Sequence, residues 1–184
     1  MSSPSLESFL AGRVVVLVGD IRQQDVTAIV NAANSSLLGG GGVDGAIHSA
    51  GGPKILEECK QIRKTTYPDG LPTGQAVLTT GGNLPAKYVI HTVGPIYGQD
   101  PERESELLAA CYQNSLRLAH QHDVSSIAFP SISTGVFGYP KPEAAKTSSV
   151  AIKEFLTADE QIEQVRLVFF QQRDARVFLQ YQEF

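Results

Sequence analysis

The segment Asn31–His48, which reads NAANSSLLGGGGVDGAIH, contains four consecutive glycines at positions 39–42. Glycine loses more conformational entropy on folding than any other residue, so such a run is costly unless the backbone must pass where no side chain fits. Phosphate groups commonly impose that requirement, because backbone N–H groups at a helix start bind anions. The run follows a strand-like stretch and precedes a helical one. We therefore predict a phosphate-binding loop, and a flexible surface loop is the alternative.

Polar side chains flank the glycine run on both sides. Asn31 and Asn34 precede it, and Asp44 and His48 follow it. The last two are four residues apart, so on a helix they share one face beside the phosphate site. There Asp44 has the chemistry to orient or deprotonate a water, and a helix N-cap is its structural alternative. For His48 the alternative is a hydrogen-bonded structural histidine.

A second glycine-containing loop, Ser131–Tyr139 (SISTGVFGY), also lies between a predicted strand and a predicted helix. Two such loops suit a diphosphate that lies across the carboxyl ends of the strands of a sheet. Phe137 in this loop is either an aromatic packed against a ligand sugar or an anchor in the core. Asp20, which follows the first predicted strand, either accepts a hydrogen bond from an exocyclic amine or caps a turn.

Several enzyme classes are disfavoured by motif spacing. A formal GxGxxG occurs at 40–45, but eight residues (AANSSLLG) separate the strand from its first glycine, and the acidic residue expected at the end of a second strand is missing. No GK[ST] follows the loop, and no GxSxG or HExxH motif occurs. A dinucleotide-binding dehydrogenase, a P-loop enzyme, a serine hydrolase and a zinc protease are therefore disfavoured, and we expect no metal.

The bulk properties predict one ordinary globular domain. The chain has 184 residues, 42% of them hydrophobic and 18% charged. A net charge of -4 and a pI near 5.5 argue against a protein that binds nucleic acid through a broad basic surface. Cys59 and Cys111 lack CxxC spacing, which predicts a protein of a reducing compartment without disulfides. Each is expected to be a small apolar side chain buried in the core. We see no signal peptide or membrane-spanning run, so we expect a cytoplasmic protein.

Predicted strands alternate with predicted helices. The strands are Arg13–Val18, Ala28–Asn31, Ala76–Thr80, Tyr88–Val93, Ser126–Pro130 and Val165–Phe170, and the helices are Pro53–Arg63, Glu102–His122, Pro140–Thr157 and Arg173–Tyr181. This pattern predicts an α/β fold, a three-layer α/β/α sandwich around a mixed, mostly parallel sheet of about six strands. Residues 13–184 are expected to form one domain. Residues 1–12 are expected to be a partly disordered extension, with Phe9 and Leu10 as anchors.

Four segments of this chain resemble the macrodomain family. They are NAANSSLLGGGGVDGAIH, TGQAVLTTGGNLPAKYVIHTVGP, FPSISTGVFGYP and the opening VGDI, and the likeness spans residues 13–182 in the family's order. The likeness is strongest to the MacroD-type branch of ADP-ribosyl hydrolases and O-acetyl-ADP-ribose deacetylases. The resemblance therefore implies ADP-ribose as the ligand.

The resemblance also implies roles for individual residues. The adenine would be bound by Asp20, Ile21 and Phe170, and the pyrophosphate by a first loop of Gly41, Gly42 and Val43 and a second loop of Ser133, Thr134, Gly135, Val136 and Phe137. Phe137 would lie over the distal ribose, where many relatives carry tyrosine. Asn34 would position that ribose, Asp44 would be catalytic, and His48 would have a secondary role.

On this basis we expect a hydrolase that removes mono-ADP-ribose from acidic side chains of modified proteins and deacetylates O-acetyl-ADP-ribose. A water oriented by Asp44 would attack either the anomeric carbon or the ester carbonyl. A non-catalytic reader that binds ADP-ribose is the alternative from another class, and a phosphatase acting on ADP-ribose 1″-phosphate is a third. The expected partners are ADP-ribosylated proteins and O-acetyl-ADP-ribose. The expected state is a cytoplasmic monomer without a cofactor.

Overall fold

A mixed sheet of seven strands lies at the centre of the computed structural model, which describes residues 4–184. The strands are β1 (Ser5–Phe9), β2 (Val14–Val18), β3 (Ala28–Ala33), β4 (Ala76–Thr80), β5 (Tyr88–Val93), β6 (Ser126–Phe129) and β7 (Gln164–Phe169). Their order across the sheet is β1-β2-β7-β6-β3-β5-β4. The five central strands are parallel, and the two edge strands run antiparallel to their neighbours. The central strands therefore all end at one edge, here called the carboxyl edge.

Helices cover both faces of the sheet. They are α1 (Gly42–Gly51), α2 (Pro53–Thr65), α3 (Glu104–Gln121), α4 (Lys141–Ala158) and α5 (Gln172–Tyr181). Alternate residues of β3 face opposite sides: Val30 packs with the residues of α3, α4 and α5, and Ile29 packs with those of α1 and α2. Strands buried on both faces explain the nearly continuous apolar runs in the sequence. The expected three-layer α/β/α sandwich is confirmed.

The first strand differs from the sequence prediction, which placed it in a partly disordered extension and gave the sheet about six strands. Residues 5–9 pair antiparallel with β2 and form the seventh strand. Phe9 and Leu10 pack against the core, as expected of anchors, and the Phe9 ring stacks on Phe184 with 5.1 Å between centroids. Residues 1–3, which belong to the same expected extension, lie outside the described part of the chain. The last strand along the chain, β7, ends at Phe169, so Phe170 lies one residue beyond that strand rather than ending it.

None of the helices between residues 4 and 184 combines the length and the apolar character that a bilayer span requires.

The guanidinium of Arg13 joins β2 to the end of α4. It donates hydrogen bonds to the carbonyl oxygens of Leu156, Asp159 and Ile162 at 2.8, 2.6 and 2.7 Å. Leu156 lies in the last turn of α4, where carbonyls have no partner within the helix, so Arg13 satisfies a group that would otherwise be unpaired and also ties down the segment that follows the helix. We expect Arg13→Met to lower the free energy of unfolding by about 3 kcal/mol in urea titrations. The exposed Arg176 offers a control as Arg176→Met, and a loss at Arg13 no larger than that control's would contradict this role.

Candidate functional site at the carboxyl edge

The fold brings four predicted site segments to the carboxyl edge. Asp20 follows β2, Phe170 follows β7, the second loop follows β6, and Asn34 with the glycine run follows β3. Because β2, β7, β6 and β3 are successive neighbours in the sheet, the four segments lie in that linear order. The backbone N–H of Gly19 donates to the carbonyl of Phe169 at 2.9 Å and ties the first two segments together.

Asp20 is the N-cap of a short 3₁₀ helix, Ile21–Gln23, so its capping role is confirmed. Its carboxylate accepts a hydrogen bond from the backbone N–H of Arg22 at 2.9 Å. The Arg22 guanidinium also binds both carboxylate oxygens, with a shortest distance of 2.6 Å from Nη2 to Oδ2. These hydrogen bonds lower the pKa of Asp20. The adenine-binding role of Asp20 stays a prediction. In that role, the amine of the ligand would donate to a carboxylate oxygen that already accepts from Arg22.

Two apolar side chains beside Asp20 differ sharply in exposure. Phe170 is 81% exposed, although a large aromatic gains free energy from burial. Ile21 is 7% exposed and belongs to the core between the sheet and α1. Phe170 is therefore free to stack on a ligand ring, whereas Ile21 offers mainly its backbone.

The glycine run ends in the first turn of α1. Gly41 is the N-cap of that helix, and its side-chain position faces open space. Gly42 has φ +58, a backbone conformation that favours glycine. A Cβ on Gly45 would lie 2.4 Å from the carbonyl oxygen of Gly40, so the loop folds back onto the helix only because Gly45 has no side chain. With Val43 half-buried beside them, these residues present backbone N–H groups at a helix N-terminus, which attracts anions.

Asp44 does not cap α1, because Gly41 occupies that position. Its carboxylate is buried, and Oδ1 accepts a hydrogen bond from Nδ2 of Asn31 at 2.7 Å. Oδ2 has no hydrogen-bond partner among residues 4–184. A Cβ on Gly40 would lie 3.1 Å from this oxygen and 3.0 Å from Nδ2 of Asn34, so both side chains approach the glycine run. The carboxylate thus has one oxygen held and one oxygen free beside the loop.

His48 lies on the same face of α1 as Asp44, as its spacing predicted. Its Nε2 is 3.4 Å from Oδ1 of Asp44, and neither ring nitrogen has a hydrogen-bond partner in the described residues. The alternative of a hydrogen-bonded structural histidine therefore finds no support among the described residues. With 12% of its side chain exposed, His48 is largely buried beside Asp44, and a Cβ on Gly39 would lie 4.0 Å from Cδ2 of its ring.

Asn34 is held in place by hydrogen bonds within its own loop. Its Nδ2 donates to the carbonyl of Gly39 at 2.9 Å, and its Oδ1 accepts from the hydroxyl of Ser36 at 2.5 Å. Arg63 of α2 donates to the carbonyl of Ser36 at 2.7 Å and to that of Tyr67 at 2.8 Å. The orientation of Asn34 thus depends on Ser36 and Arg63, neither of which sequence reasoning identified.

The second loop exposes backbone and one side chain at the same edge. Val136 is 99% exposed, and Gly135 has open space at its side-chain position. Ser133 has φ +65, and its buried hydroxyl lacks a partner in the described residues. The hydroxyl of Thr134 donates to the carbonyl of Ser131 at 3.0 Å, which closes the turn. Phe137 is half-buried, and its carbonyl accepts from the backbone N–H of Tyr97 at 2.9 Å.

A group of three side chains, two buried and one largely buried, lies near Asp44. His48, Cys59 and His91 place one possible metal-ligand atom each within 4.8 Å of one another, although their sequence spacing gave no sign of it. Both ring nitrogens of His91 are engaged, by Asn31 at 3.1 Å and by Thr79 at 2.9 Å. Burial, with the charges of Asp44 and Glu58, raises the pKa of the Cys59 thiol to about 12, which opposes a thiolate ligand. Of these three residues, His91 instead belongs to a hydrogen-bond network with Asn31 and Thr79.

Comparison with known proteins agrees with this architecture. Residues 30–148 match the Macro domain family. An O-acetyl-ADP-ribose deacetylase from Escherichia fergusonii is 48% identical over 169 residues, which cover 92% of this chain and 94% of that protein.

Two solved structures show the same fold. The Oceanobacillus iheyensis macrodomain with ADP has a TM-score of 0.89 and 47% sequence identity, and the match covers 91% of this chain and 88% of that one. The Trypanosoma brucei macrodomain in complex with ADP-ribose has a TM-score of 0.83 and 36% identity, over 92% of this chain and 68% of that one. With a family match over more than half of its length and a relative aligned over nearly all of it, this chain belongs to the macrodomain family.

Proposed function

We propose that this protein binds ADP-ribose along the carboxyl edge and hydrolyses esters on its distal ribose. The linear order of the four site segments supports the binding mode: adenine beside Asp20 and Phe170, pyrophosphate between the two loops, and distal ribose beside Asn34 and Phe137. Helix N-terminal N–H groups at the glycine run supply positive potential without any lysine, which fits a chain of net charge -4. The complexes of related macrodomains with ADP and ADP-ribose support the same ligand.

The observation that carries the hydrolytic proposal is the unpaired Oδ2 of Asp44 beside Gly40. A water hydrogen-bonded to this oxygen would stand between the carboxylate and a ribose held by Asn34. Attack of that water on the ester, with a proton passing to Asp44, releases the acid and leaves a hydroxyl on the ribose. Because a carboxylate is a weak base, we expect the positioning of water and ribose to supply much of the rate.

The proposed substrates are proteins mono-ADP-ribosylated on Asp or Glu side chains, and O-acetyl-ADP-ribose. Both carry an ester on the distal ribose, so one site serves both. The deacetylase among the relatives supports the second substrate. A cytoplasmic location and a monomeric state stay predictions of the sequence.

Intact-mass measurement of a Glu-linked mono-ADP-ribosylated protein distinguishes a hydrolase from a non-catalytic reader that only binds ADP-ribose. After incubation with this protein, we expect loss of the full ADP-ribose mass and recovery of the unmodified chain. An unchanged adduct together with tight ADP-ribose binding by calorimetry would establish the reader instead. No affinity for ADP-ribose would overturn both.

The same reaction run in ¹⁸O-labelled water identifies the atom that water attacks. Label in the released carboxylate marks attack on the ester carbonyl. Label confined to ADP-ribose marks attack on the anomeric carbon.

A further inference from the structure

Asn31 is a fully buried carboxamide on β3, in the middle of an otherwise apolar strand. A buried polar side chain is costly without partners, so its presence there requires a structural reason. Both N–H groups of Nδ2 are directed to acceptors: Oδ1 of Asp44 at 2.7 Å and Nδ1 of His91 at 3.1 Å. We propose that Asn31 is a positioning residue that fixes which oxygen of Asp44 faces the ligand. This inference rests on the proposed hydrolytic function.

The donor and acceptor roles in this network follow from chemistry. A carboxylate only accepts hydrogen bonds, so Asn31 must present its NH₂ group to Asp44. The same NH₂ group faces Nδ1 of His91, which must then accept, so the ring proton lies on Nε2. Burial, with the neighbouring His48, lowers the pKa of His91 to about 3, which keeps the ring neutral.

Thr79 completes the chain of hydrogen bonds at its far end. Nε2–H of His91 donates to Oγ1 of Thr79 at 2.9 Å, and that hydroxyl donates to the carbonyl of Thr80 at 3.0 Å. The carbonyl of Thr80 can only accept, and so can the carboxylate of Asp44. With both ends of the series fixed as acceptors, the donor and the acceptor of every hydrogen bond between them are determined. A reversed amide of Asn31 would place Oδ1 against the carboxylate, acceptor against acceptor.

The register of the strands brings the members of this hydrogen-bond network together. Asn31 and His91 are paired residues of the parallel strands β3 and β5, and His91 pairs with Val77 of β4, two residues before Thr79. Three neighbouring strands thus contribute one side chain each on the face covered by α1 and α2. The network reaches Asp44 from the sheet, through Asn31 of β3.

The consequence for Asp44 is an unequal pair of oxygens. The terminal torsion of an aspartate is broad and roughly two-fold, so the backbone alone does not choose an orientation. Asn31 holds Oδ1, and Oδ2 stays free beside Gly40. The carbonyl oxygen Oδ1 of Asn31 itself has no hydrogen-bond partner in residues 4–184. The orientation of this amide therefore satisfies its two N–H donors and leaves its acceptor unsatisfied.

The test replaces Asn31 with a residue of similar size that cannot donate. We expect Asn31→Leu to lower kcat about 10- to 100-fold, because the free oxygen of Asp44 is no longer fixed, with ADP-ribose affinity little changed. Added to Asp44→Asn, the same change should cause no further loss, since it acts only through Asp44. The matched control is Asn114→Leu on α3, which removes a 2.7 Å hydrogen bond to Gly74 remote from Asp44 and should leave kcat unchanged.

A second variant tests the hydrogen-bond network at Thr79, its end remote from Asp44. Thr79→Val removes the acceptor of His91 Nε2–H and should lower kcat roughly fivefold, and Thr79→Ser should restore it. Equal losses of kcat in Thr79→Val and Thr79→Ser would indicate that packing rather than hydrogen bonding matters at Thr79, and would count against the hydrogen-bond network.

Long-range ¹H–¹⁵N spectra of the His91 ring provide a readout that is independent of activity. The proposal requires a protonated Nε2 and an unprotonated Nδ1 in the wild-type protein, with the Nδ1 resonance displaced in Asn31→Leu. A proton on Nδ1 would overturn it, as would wild-type kcat in a folded Asn31→Leu variant. If the wild-type protein releases no ADP-ribose, the proposed function fails, and the spectra still decide the hydrogen-bond chain.

Discussion

Asp44→Ala is expected to lower kcat for ester hydrolysis by at least about 100-fold, the usual range for loss of a group that moves a proton in the transition state. Affinity for ADP-ribose should change little, because the proposed binding contacts are the two loops, Asp20 and Phe170. Turnover of O-acetyl-ADP-ribose and calorimetric titration with ADP-ribose measure the two quantities separately.

A companion variant separates chemistry from folding. Asp44→Asn keeps the size of the side chain and an acceptor for Asn31, so it should fold like the wild type and still lose turnover. Asp25→Ala provides the matched control, since Asp25 is 79% exposed and precedes β3 at the opposite edge of the sheet. Wild-type turnover by Asp44→Ala with intact ADP-ribose binding would refute the mechanism.

Phe170→Ala is expected to weaken ADP-ribose binding by about tenfold, the order of magnitude for removing an aromatic that stacks on a base. The side chain is 81% exposed, so its removal should leave the thermal unfolding temperature unchanged. Because stacking acts equally on substrate and transition state, KM should rise while kcat stays constant. Steady-state kinetics and calorimetry test both statements.

Two further variants sharpen this prediction. Phe170→Tyr retains an aromatic ring and should keep the affinity of the wild type. Leu6→Ala removes another exposed apolar side chain, 39% exposed on β1, and should have no effect on binding. Undiminished affinity in Phe170→Ala would place the adenine elsewhere.

The sequence predicted most of the fold because its buried strands are continuous apolar runs. The observed bounds of Ala76–Thr80 and Tyr88–Val93 are those predicted, and the remaining predicted strands differ at their ends. The strand Ser5–Phe9 was missed because its side chains are largely exposed, so its sequence carries little hydrophobic pattern. Its place in the sheet is set by backbone pairing with β2, which composition does not reveal.

The local chemistry of the candidate site was only partly predictable. The glycine run and its polar flanks were identified from spacing, and so was the shared helix face of Asp44 and His48. The N-cap alternative for Asp44 was wrong, because Gly41 satisfies that position with its backbone alone. The ion pair of Asp20 with Arg22 escaped notice although the two residues are near neighbours in sequence.

Contacts between distant segments account for what sequence reasoning missed. The carboxamide of Asn31 meets His91 because β3 and β5 pair in one register, a distance of 60 residues along the chain. The available signal was an amide within the apolar run AIVNAA, where a buried polar group demands partners. The sequence could indicate that such partners exist, but only the sheet register identifies them.

The most direct test of the proposed site is a crystal structure of Asp44→Asn with ADP-ribose. We predict adenine against Phe170, pyrophosphate between the glycine run and Ser133–Phe137, and distal ribose within hydrogen-bond distance of Asn34, with a water near residue 44. A ligand in the reverse orientation, with adenine at Asn34, would contradict the account, as would a ligand bound away from the carboxyl edge.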